Sequence, residues 1–350
     1  ELIHLLTTEG LPRRHVERLL DAARGFAARS AAGQGLAGHG SAVHGSAVHG
    51  SAAHGSAMHS PAEQGSVAPA SASPDSASRG QEAATPPPGP SSAAPVFLCL
   101  PDEAAQDRQA YAAAAQRLSL SAVELDAQAG DALAETVARL APGLLVLRHG
   151  ASGAAHCATA HAAPGLRILN AGDGCHADPL PALALVQAML DARQDLTNLA
   201  VALVGDIRHS RVARSVIHAM TTLGVPEVRA AAPRTLLPEN LPQLGVRACA
   251  SLREGLQDAD VVIVLPLQVE GLSGAQLPSA REYAHAYGLT PASLAAARAD
   301  VLLLPAGALT PGIEADGDVA ASLAPIEARL AEIEQHLRLA ALELLSGDAP

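Results

Sequence analysis

The sequence contains no lysine, because all 23 of its basic residues are arginine. Any reaction step that needs an ammonium group must therefore obtain it from another chain. Tryptophan is also absent and aromatic residues make up 1% of the chain, so alanine and leucine supply most of the apolar side chains. Small side chains of this kind predict a core of closely packed helices and strands.

Other absences exclude whole classes of protein. The four cysteines show no CxxC spacing, which argues against a disulfide framework or a zinc site, and we expect neither a metal nor another cofactor. No apolar run approaches the roughly 18 residues of a membrane span, and no signal peptide is recognisable. The net charge of -12, without any basic run, argues against a nucleic-acid partner. We therefore expect a soluble, cytoplasmic protein.

The N-terminal part of the chain changes character abruptly. Residues 12–29 repeat apolar side chains at helical spacing behind Pro12, which predicts an amphipathic helix. Residues 31–94 are rich in Gly, Ser, Ala and Pro and cannot bury enough apolar surface to fold, so we predict disorder. This stretch holds a five-residue repeat with histidines in register, at His39, His44, His49, His54 and His59. An expansion in a tolerant loop explains the repeat more simply than weak metal binding does.

From residue 95 onwards, short apolar runs alternate with helical segments. The 350 residues, 49% of them hydrophobic, suffice for two domains. Two sets of strand-helix alternation predict two doubly wound parallel-sheet α/β domains joined by helices, one of them at 179–193. The last helix is predicted at about 325–346. The predicted organisation is a first-domain helix in 1–30, the disordered insertion 31–94, a first domain at 95–185, a second at 186–325, and a C-terminal helix in 326–350 that packs back on the first domain.

One strand-helix junction is a candidate anion site. The stretch "VGDIRHSRVARSVIHAM" places Asp206, Arg208, His209 and Arg211 where an apolar strand gives way to a helix. Unpaired backbone N–H groups at a helix start favour negative charge, and arginine adds a planar fork for carboxylate or phosphate. The residues alone equally allow an interdomain salt bridge here.

Five motifs give the chain a resemblance to a known family. They are "HLLTTEGL" at 4–11, "LRHGASGAAH" at 147–156, "NAGDGCHADP" at 170–179, "VGDIRHSRVARSVIHAMTTLG" at 204–224 and "REYAHAYGLT" at 281–290. With the strand-helix order, they resemble the aspartate and ornithine carbamoyltransferase family, and its aspartate branch in particular. The resemblance implies a carbamoyl-phosphate domain, an aspartate domain, a cleft between them, and a trimer with active sites at subunit interfaces.

The resemblance also implies roles for individual residues. Arg148 matches the arginine that contacts carbamoyl phosphate, and His176 the histidine that polarises the carbamoyl oxygen. Arg211 and Gln268 match residues of the aspartate site, and Arg108 matches the last arginine of the phosphate cradle. A neutral histidine can donate a hydrogen bond to an oxygen on which charge develops, as acyl transfer requires. From the residues alone, His176 could equally be a structural side chain, and both Arg148 and Arg211 could form salt bridges.

The phosphate cradle of the family is broken in this chain. Its Ser-Thr-Arg-Thr-Arg pattern falls on Ala104, Ala105, Gln106, Asp107 and Arg108. Charge-assisted hydrogen bonds to phosphate contribute about 1.5 to 3 kcal/mol each, so losing three of them removes most of a micromolar affinity. Asp107 adds a carboxylate near the phosphate position, where like charges repel. Weak binding of carbamoyl phosphate and aspartate is therefore expected.

Other departures affect the second substrate and the subunit interface. The family inserts a lysine from a neighbouring subunit through a loop that corresponds to 127–135, where this chain has none. The second aspartate-binding arginine is replaced by Pro266, and an expected glutamine by Pro181. The family's His-Pro-Gly-Pro loop reads "PAGA" at 305–308 and loses prolines that fix the backbone.

Three hypotheses follow. The first is a degenerate family member of pyrimidine biosynthesis, catalytically impaired, that acts as a structural or regulatory subunit in a homotrimer or with an active pyrimidine enzyme. The second is an active transferase, using aspartate or another amino acceptor, whose site is completed by lysine from a different chain. The third is a sensor of small anions that uses only the aspartate half. We favour the first.

Overall fold

The computed structural model describes residues 2–33, 94–125, 133–268 and 279–347. Within these ranges, strands and helices alternate and build two parallel sheets, which confirms the predicted fold class. Almost all of the low-complexity insertion predicted at 31–94, with its histidine repeat, lies outside the described residues, and so does most of 127–135. The first helix, α1 (Arg13–Ala31), agrees closely with its prediction.

The first sheet has the order β2-β1-β3-β4 among the described residues, with every neighbouring pair parallel. Its strands are β1 (Val96–Cys99), β2 (Ala122–Glu124), β3 (Gly143–His149) and β4 (Leu166–Asp173). The helices between them are α2 (Ala105–Arg117), α3 (Leu133–Arg139) and α4 (Ala154–His161), and a 3-10 turn at Asp102–Ala104 precedes α2. The chain leaves β1 towards one edge and returns to β3 on the other side, so the topological switch point lies between β1 and β3.

The second sheet has the order β7-β6-β5-β8-β9 and is again parallel. Its strands are β5 (Ala200–Gly205), β6 (Glu227–Ala231), β7 (Val246–Ala248), β8 (Val261–Leu265) and β9 (Leu302–Pro305). All five residues of β8 are buried, as expected for a strand covered on both faces. The helices of this part are α6 (Arg211–Leu223), α7 (Leu252–Leu256), α8 (Ala280–Tyr287) and α9 (Pro291–Leu294), with 3-10 turns at Arg234–Leu236 and Leu241–Leu244. Its switch point lies between β5 and β8.

Two helices join the sheets. Helix α5 (Pro179–Arg193) has the bounds that the sequence predicted, and it packs against α6. Helix α10 (Gly317–Ser346) packs against α1, α2, α5 and β9, so it touches elements of both sheets. Among the described residues, no helix combines the length and the apolar character that crossing a membrane would require.

The start of α10 differs from its prediction. The helix begins at Gly317 rather than at 325, and Pro325 lies inside it. The side chain of Asp316 accepts a hydrogen bond from Val319 N, so it caps the helix start. This cap and the burial of Val319 and Leu323 outweigh the backbone hydrogen bond that Pro325 cannot donate.

Candidate functional site

A cleft of about 1260 Å³ lies where the carboxyl ends of both sheets meet. In parallel α/β sheets, ligands bind outside the carboxyl ends of strands at the switch point. The first switch point contributes Asp107, which follows β1, and Arg148 at the end of β3. The second contributes residues 209–212 after β5 and 266–268 after β8, and α10 closes the cleft with Glu327, Leu330, Ala331, Glu334 and Arg338.

A glycine at the second switch point allows the two strands to approach closely. Gly205 ends β5 with a φ of +127°, and a Cβ atom built there would lie 2.2 Å from the carbonyl oxygen of Leu265 in β8. No other residue type tolerates both the backbone conformation and the contact. The next residues carry the chain into the cleft, where Ser210 caps α6 by accepting from Ala213 N.

The first wall of the cleft is organised around Asp107. Its Oδ2 accepts a hydrogen bond from Nη1 of Arg148 at 2.5 Å, and its Oδ1 accepts one from Nη2 of Arg338 at 2.9 Å. The same Nη2 of Arg338 donates to Glu334 at 2.6 Å. Burial raises the pKa of Glu334 to about 7, although the charge of Arg338 acts in the opposite direction. Both arginines therefore already have carboxylate partners.

The second wall has the same character. Arg211, in the first turn of α6, donates from Nε to Oδ2 of Asp178 at 2.9 Å. Asp178 is 5% exposed and precedes Pro179 at the start of α5, and its backbone N–H donates to the hydroxyl of Ser215 in α6. Burial raises the pKa of the Asp178 carboxyl, while the charge of Arg211 lowers it. This pair ties α5 to α6.

Three of the five predicted site residues meet in this cleft, namely Arg148, Arg211 and Gln268. His176 does not line it: its Nδ1 lies 3.1 Å from both oxygens of the fully buried Asp173, and its ring meets that of His156 edge-on at 5.3 Å. Asp178, which immediately precedes α5, lines the cleft instead.

Arg108 also lies away from the cleft. Its Nη1 donates to the carbonyl of Leu100, and the guanidinium pairs with the exposed carboxylates of Asp102 and Glu124 at 3.4 and 3.7 Å. The neighbouring residues of the helix, Gln106 and Asp107, face the cleft in its place. Of the residues at 104–108, the two that line the cleft thus offer an amide and a carboxylate.

The polar junction after β5 divides between two environments. Arg208 donates from Nε and Nη2 to the carbonyl of Leu237 and is not among the residues that line the cleft. His209 lines the cleft, and its Nδ1 lies 3.0 Å from both oxygens of the buried Asp206. That carboxylate fixes the orientation of the imidazole ring. The sequence pattern placed Asp206 and His209 at the same junction but did not predict that they would pair.

Proline replaces two expected polar side chains in the cleft lining. Pro181 and Pro266, at which the resemblance led us to expect polar side chains, both lie there, and so does the stretch 305–308. Pro266 cannot make the charged contact that an arginine would make at this position. The described residues of the cleft lining carry three arginines and four carboxylates, the latter at Asp107, Asp178, Glu327 and Glu334. Within the described part of the chain, no cluster of His, Cys, Asp and Glu could hold a metal ion.

The charge arrangement limits what the cleft can do chemically. A site for a dianion needs cationic groups whose hydrogen-bond donors are free to face it. Here Asp107 and Asp178 already take donors from all three arginines of the lining. A hydrogen bond to a developing oxyanion requires a donor, and an ionised Asp178 is an acceptor only.

Comparison with known proteins identifies the fold. No family model matches the chain. Ornithine carbamoyltransferase from Pyrococcus furiosus superposes with a TM-score of 0.68 at 17% identity, over 99% of this chain and 98% of that one. Aspartate transcarbamoylase from Trypanosoma cruzi in complex with phosphate gives 0.68 at 18% identity, over 99% and 96%. The same enzyme with carbamoyl phosphate and aspartate gives 0.58 at 20% identity, over 73% and 83%. At these identities, the similarity establishes a carbamoyltransferase-like fold.

Proposed function

We propose that this protein has the architecture of an aspartate carbamoyltransferase of pyrimidine biosynthesis but is catalytically impaired, and that it acts as a structural or regulatory subunit. The observation that carries this proposal is the position of Asp107 and Asp178. Each carboxylate lies in the cleft and holds arginines that would otherwise face a substrate anion. The cleft lining therefore carries three arginines whose charge is offset by neighbouring carboxylates.

Binding of carbamoyl phosphate is the step that this arrangement weakens most. Two unit charges 4 Å apart interact by about 4 kcal/mol at the effective dielectric constant of a protein surface. A phosphate dianion beside Asp107 would meet repulsion of that order, and it would also have to compete for Arg148. Micromolar affinity corresponds to only about 8 kcal/mol. The loss of the cradle hydroxyls and the repulsion together are large enough to abolish useful binding.

The chemical step lacks its donors as well. The family's reaction needs a hydrogen bond to the carbamoyl oxygen and a lysine from a neighbouring subunit. Asp178 occupies the opening of α5 that faces the cleft, His176 lies outside the lining, and the chain has no lysine. A homotrimer of this chain cannot supply the missing ammonium group.

A second candidate is an active transferase completed by another chain. It is favoured by one observation, which is that Arg148, Arg211 and Gln268 line the same cleft. Activity would require a partner lysine and a rearrangement that releases both arginines from their carboxylates. Aspartate would then bind through Arg211, and another amino acceptor could take its place.

The test is product formation by purified protein. We expect no carbamoyl aspartate from carbamoyl phosphate and aspartate, and no citrulline when ornithine replaces aspartate, above the rate of a folded Arg148→Ala, Arg211→Ala variant. Turnover by the wild-type chain that the double variant lacks would overturn the proposal. Turnover that appears only after a lysine-containing partner is added would support the second candidate.

The subunit role has its own readout. Affinity purification from the native cell should recover a pyrimidine enzyme in a fixed stoichiometric ratio to this chain. A sensor of small anions would instead give a monodisperse homo-oligomer that succinate or aspartate stabilises against heat in an Arg211-dependent way. A homotrimer that binds neither a partner nor an anion would contradict both roles.

A further inference from the structure

A second cavity, of about 350 Å³, lies beside the junction at which β5 leads into α6. The junction contributes residues 207 and 208, α6 contributes residues 214 and 217, and the segment after β6 contributes residues 238–240 and 244. None of these residues lines the cleft described above. Cavities that bind small molecules begin at about 300 Å³, so this one has room for a ligand of a few carbon atoms.

Part of the lining is apolar and belongs to the core of the second sheet. Ile207 and Ile217 are 2% and 1% exposed, and Leu244 is half-buried and packs against the same core. Apolar side chains on the wall of a cavity favour a ligand that covers them with carbon atoms and displaces water. A ligand of this cavity therefore has an aliphatic part.

The polar part of the lining has one arginine that is free to bind. Arg208 is already engaged, because its Nε and Nη2 donate to the carbonyl of Leu237 at 3.1 and 2.7 Å and so hold the wall in place. Arg214 is half-buried, and its guanidinium has neither a hydrogen bond nor an ion pair to any residue that the structure describes. With the exposed Glu239, the lining carries two positive charges and one negative charge.

We propose that this cavity binds a small aliphatic carboxylate, with the carboxylate on Arg214 and the aliphatic part against Ile207 and Ile217. A guanidinium binds a carboxylate through two parallel hydrogen bonds, and one carboxylate neutralises the excess charge of the lining. The inference goes beyond the proposed function and does not depend on it, because binding here involves no turnover. Residues 207 and 208 directly precede His209, which lines the cleft, so a ligand in the cavity contacts the segment that leads into the cleft.

The experiment measures the affinity for 4-methylpentanoate by calorimetry at pH 7 and constant ionic strength. Two related compounds separate its parts, since acetate lacks the aliphatic chain and 4-methylpentanamide lacks the charge. Each buried CH₂ group contributes about fourfold in affinity. We therefore expect 4-methylpentanoate to bind at least tenfold more tightly than either compound. Equal affinity for 4-methylpentanoate and acetate would overturn the inference, and so would equal affinity for the acid and its amide.

The protein variants locate the binding. We expect Arg214→Gln to weaken binding of 4-methylpentanoate at least tenfold and to melt close to the wild type, because the guanidinium has no partner among the described residues to lose. The matched control is Arg253→Gln, which makes the same charge change on an exposed residue of α7 that lines neither cavity. This control should bind like the wild type. Binding that Arg214→Gln leaves unchanged, or that both variants weaken equally, would contradict the assignment.

Leucine distinguishes the two sources of such a carboxylate, because it adds an ammonium group to the same carbon chain. If the natural ligand is an amino acid, leucine should bind more tightly than 4-methylpentanoate, and Glu239→Gln should remove that difference by removing the carboxylate that faces the ammonium group. If the ligand is a simple carboxylic acid, 4-methylpentanoate should bind more tightly than leucine, and Glu239→Gln should strengthen its binding. Either result supports a carboxylate site at Arg214, whereas failure of both compounds to bind would overturn it.

Discussion

The buried Glu334 predicts a stability that falls as pH rises. Its pKa is about 7 in the folded protein, against an ordinary value of 4.5 in the unfolded chain. The folded state therefore binds more protons between these two values, so the free energy of unfolding decreases as pH rises from 4.5 to 7. A difference of one in pKa corresponds to about 1.4 kcal/mol, which makes the full loss about 3 kcal/mol.

Substitution by glutamine isolates this effect, because Glu334→Gln resembles the protonated side chain in shape and charge. From the protonation of Glu334 in the folded and the unfolded protein, we expect Glu334→Gln to have the higher free energy of unfolding. The difference from the wild type should be about 1 kcal/mol at pH 5 and at most about 3 kcal/mol at pH 8. The 3 kcal/mol is an upper limit since 24% of the side chain is exposed to water. Urea denaturation of both proteins at the two pH values measures the difference, and titrations common to both cancel.

The control is Glu332→Gln, which makes the same charge change on the same helix. Glu332 is 52% exposed and pairs with Arg329 on the exposed face of α10. Its difference from the wild type should stay within about 0.5 kcal/mol and should not change with pH. If Glu334→Gln gave the same small, pH-independent difference as this control, the reasoning about burial of Glu334 would be refuted.

Two further predictions concern stability. Arg211→Leu should lower the free energy of unfolding by about 3 to 5 kcal/mol at pH 7, because Asp178 is left buried without a partner. Adding Asp178→Asn should restore most of this loss, as measured by urea denaturation. An equal loss in the single and double variants would show that the unpaired charge is not the cause. Gly205→Ala should lower the free energy of unfolding by at least about 2 kcal/mol, because of the positive φ and the close carbonyl of Leu265. As a control, Gly317→Ala places a Cβ with no atom within 4 Å and should stay within about 1 kcal/mol of the wild type. Similar melting temperatures for the two variants would contradict this account of the switch point.

The sequence predicted the fold well because its signals are local and strong. The run "LAVALVG" is a continuous apolar stretch and forms β5, and helix α5 matches the predicted 179–193 because Asp178 and Pro179 mark its start. The start of α10 was missed for a related reason. Pro325 is a strong local signal, but the cap at Asp316 and the burial of Leu323 extend the helix through it.

The site was predicted only in part because its members depend on which face of a helix they occupy. Arg108 and Asp107 are neighbours in the sequence, and spacing alone does not tell which one points into the cleft. His176 was assigned through the family resemblance carried by "NAGDGCHADP", and from the same motif it is Asp178 that lines the cleft. Arg338 had no local signal at all, since its contact with Asp107 spans 231 residues.

The arginines of the cleft form ion pairs that connect separate elements of the fold. Asp107 holds Arg148 and Arg338, which joins α2 to β3 and α10, and Asp178 holds Arg211, which joins α5 to α6. Buried or half-buried pairs of this kind add little net stability, but breaking one partner is costly, so they fix relative positions strongly. A transferase needs the opposite property, because its cationic groups must be released to each incoming substrate and regained after product leaves. The same residues cannot serve both purposes at once, and in this chain the contacts of Asp107 and Asp178 favour the fixed arrangement, in keeping with the proposed loss of catalysis.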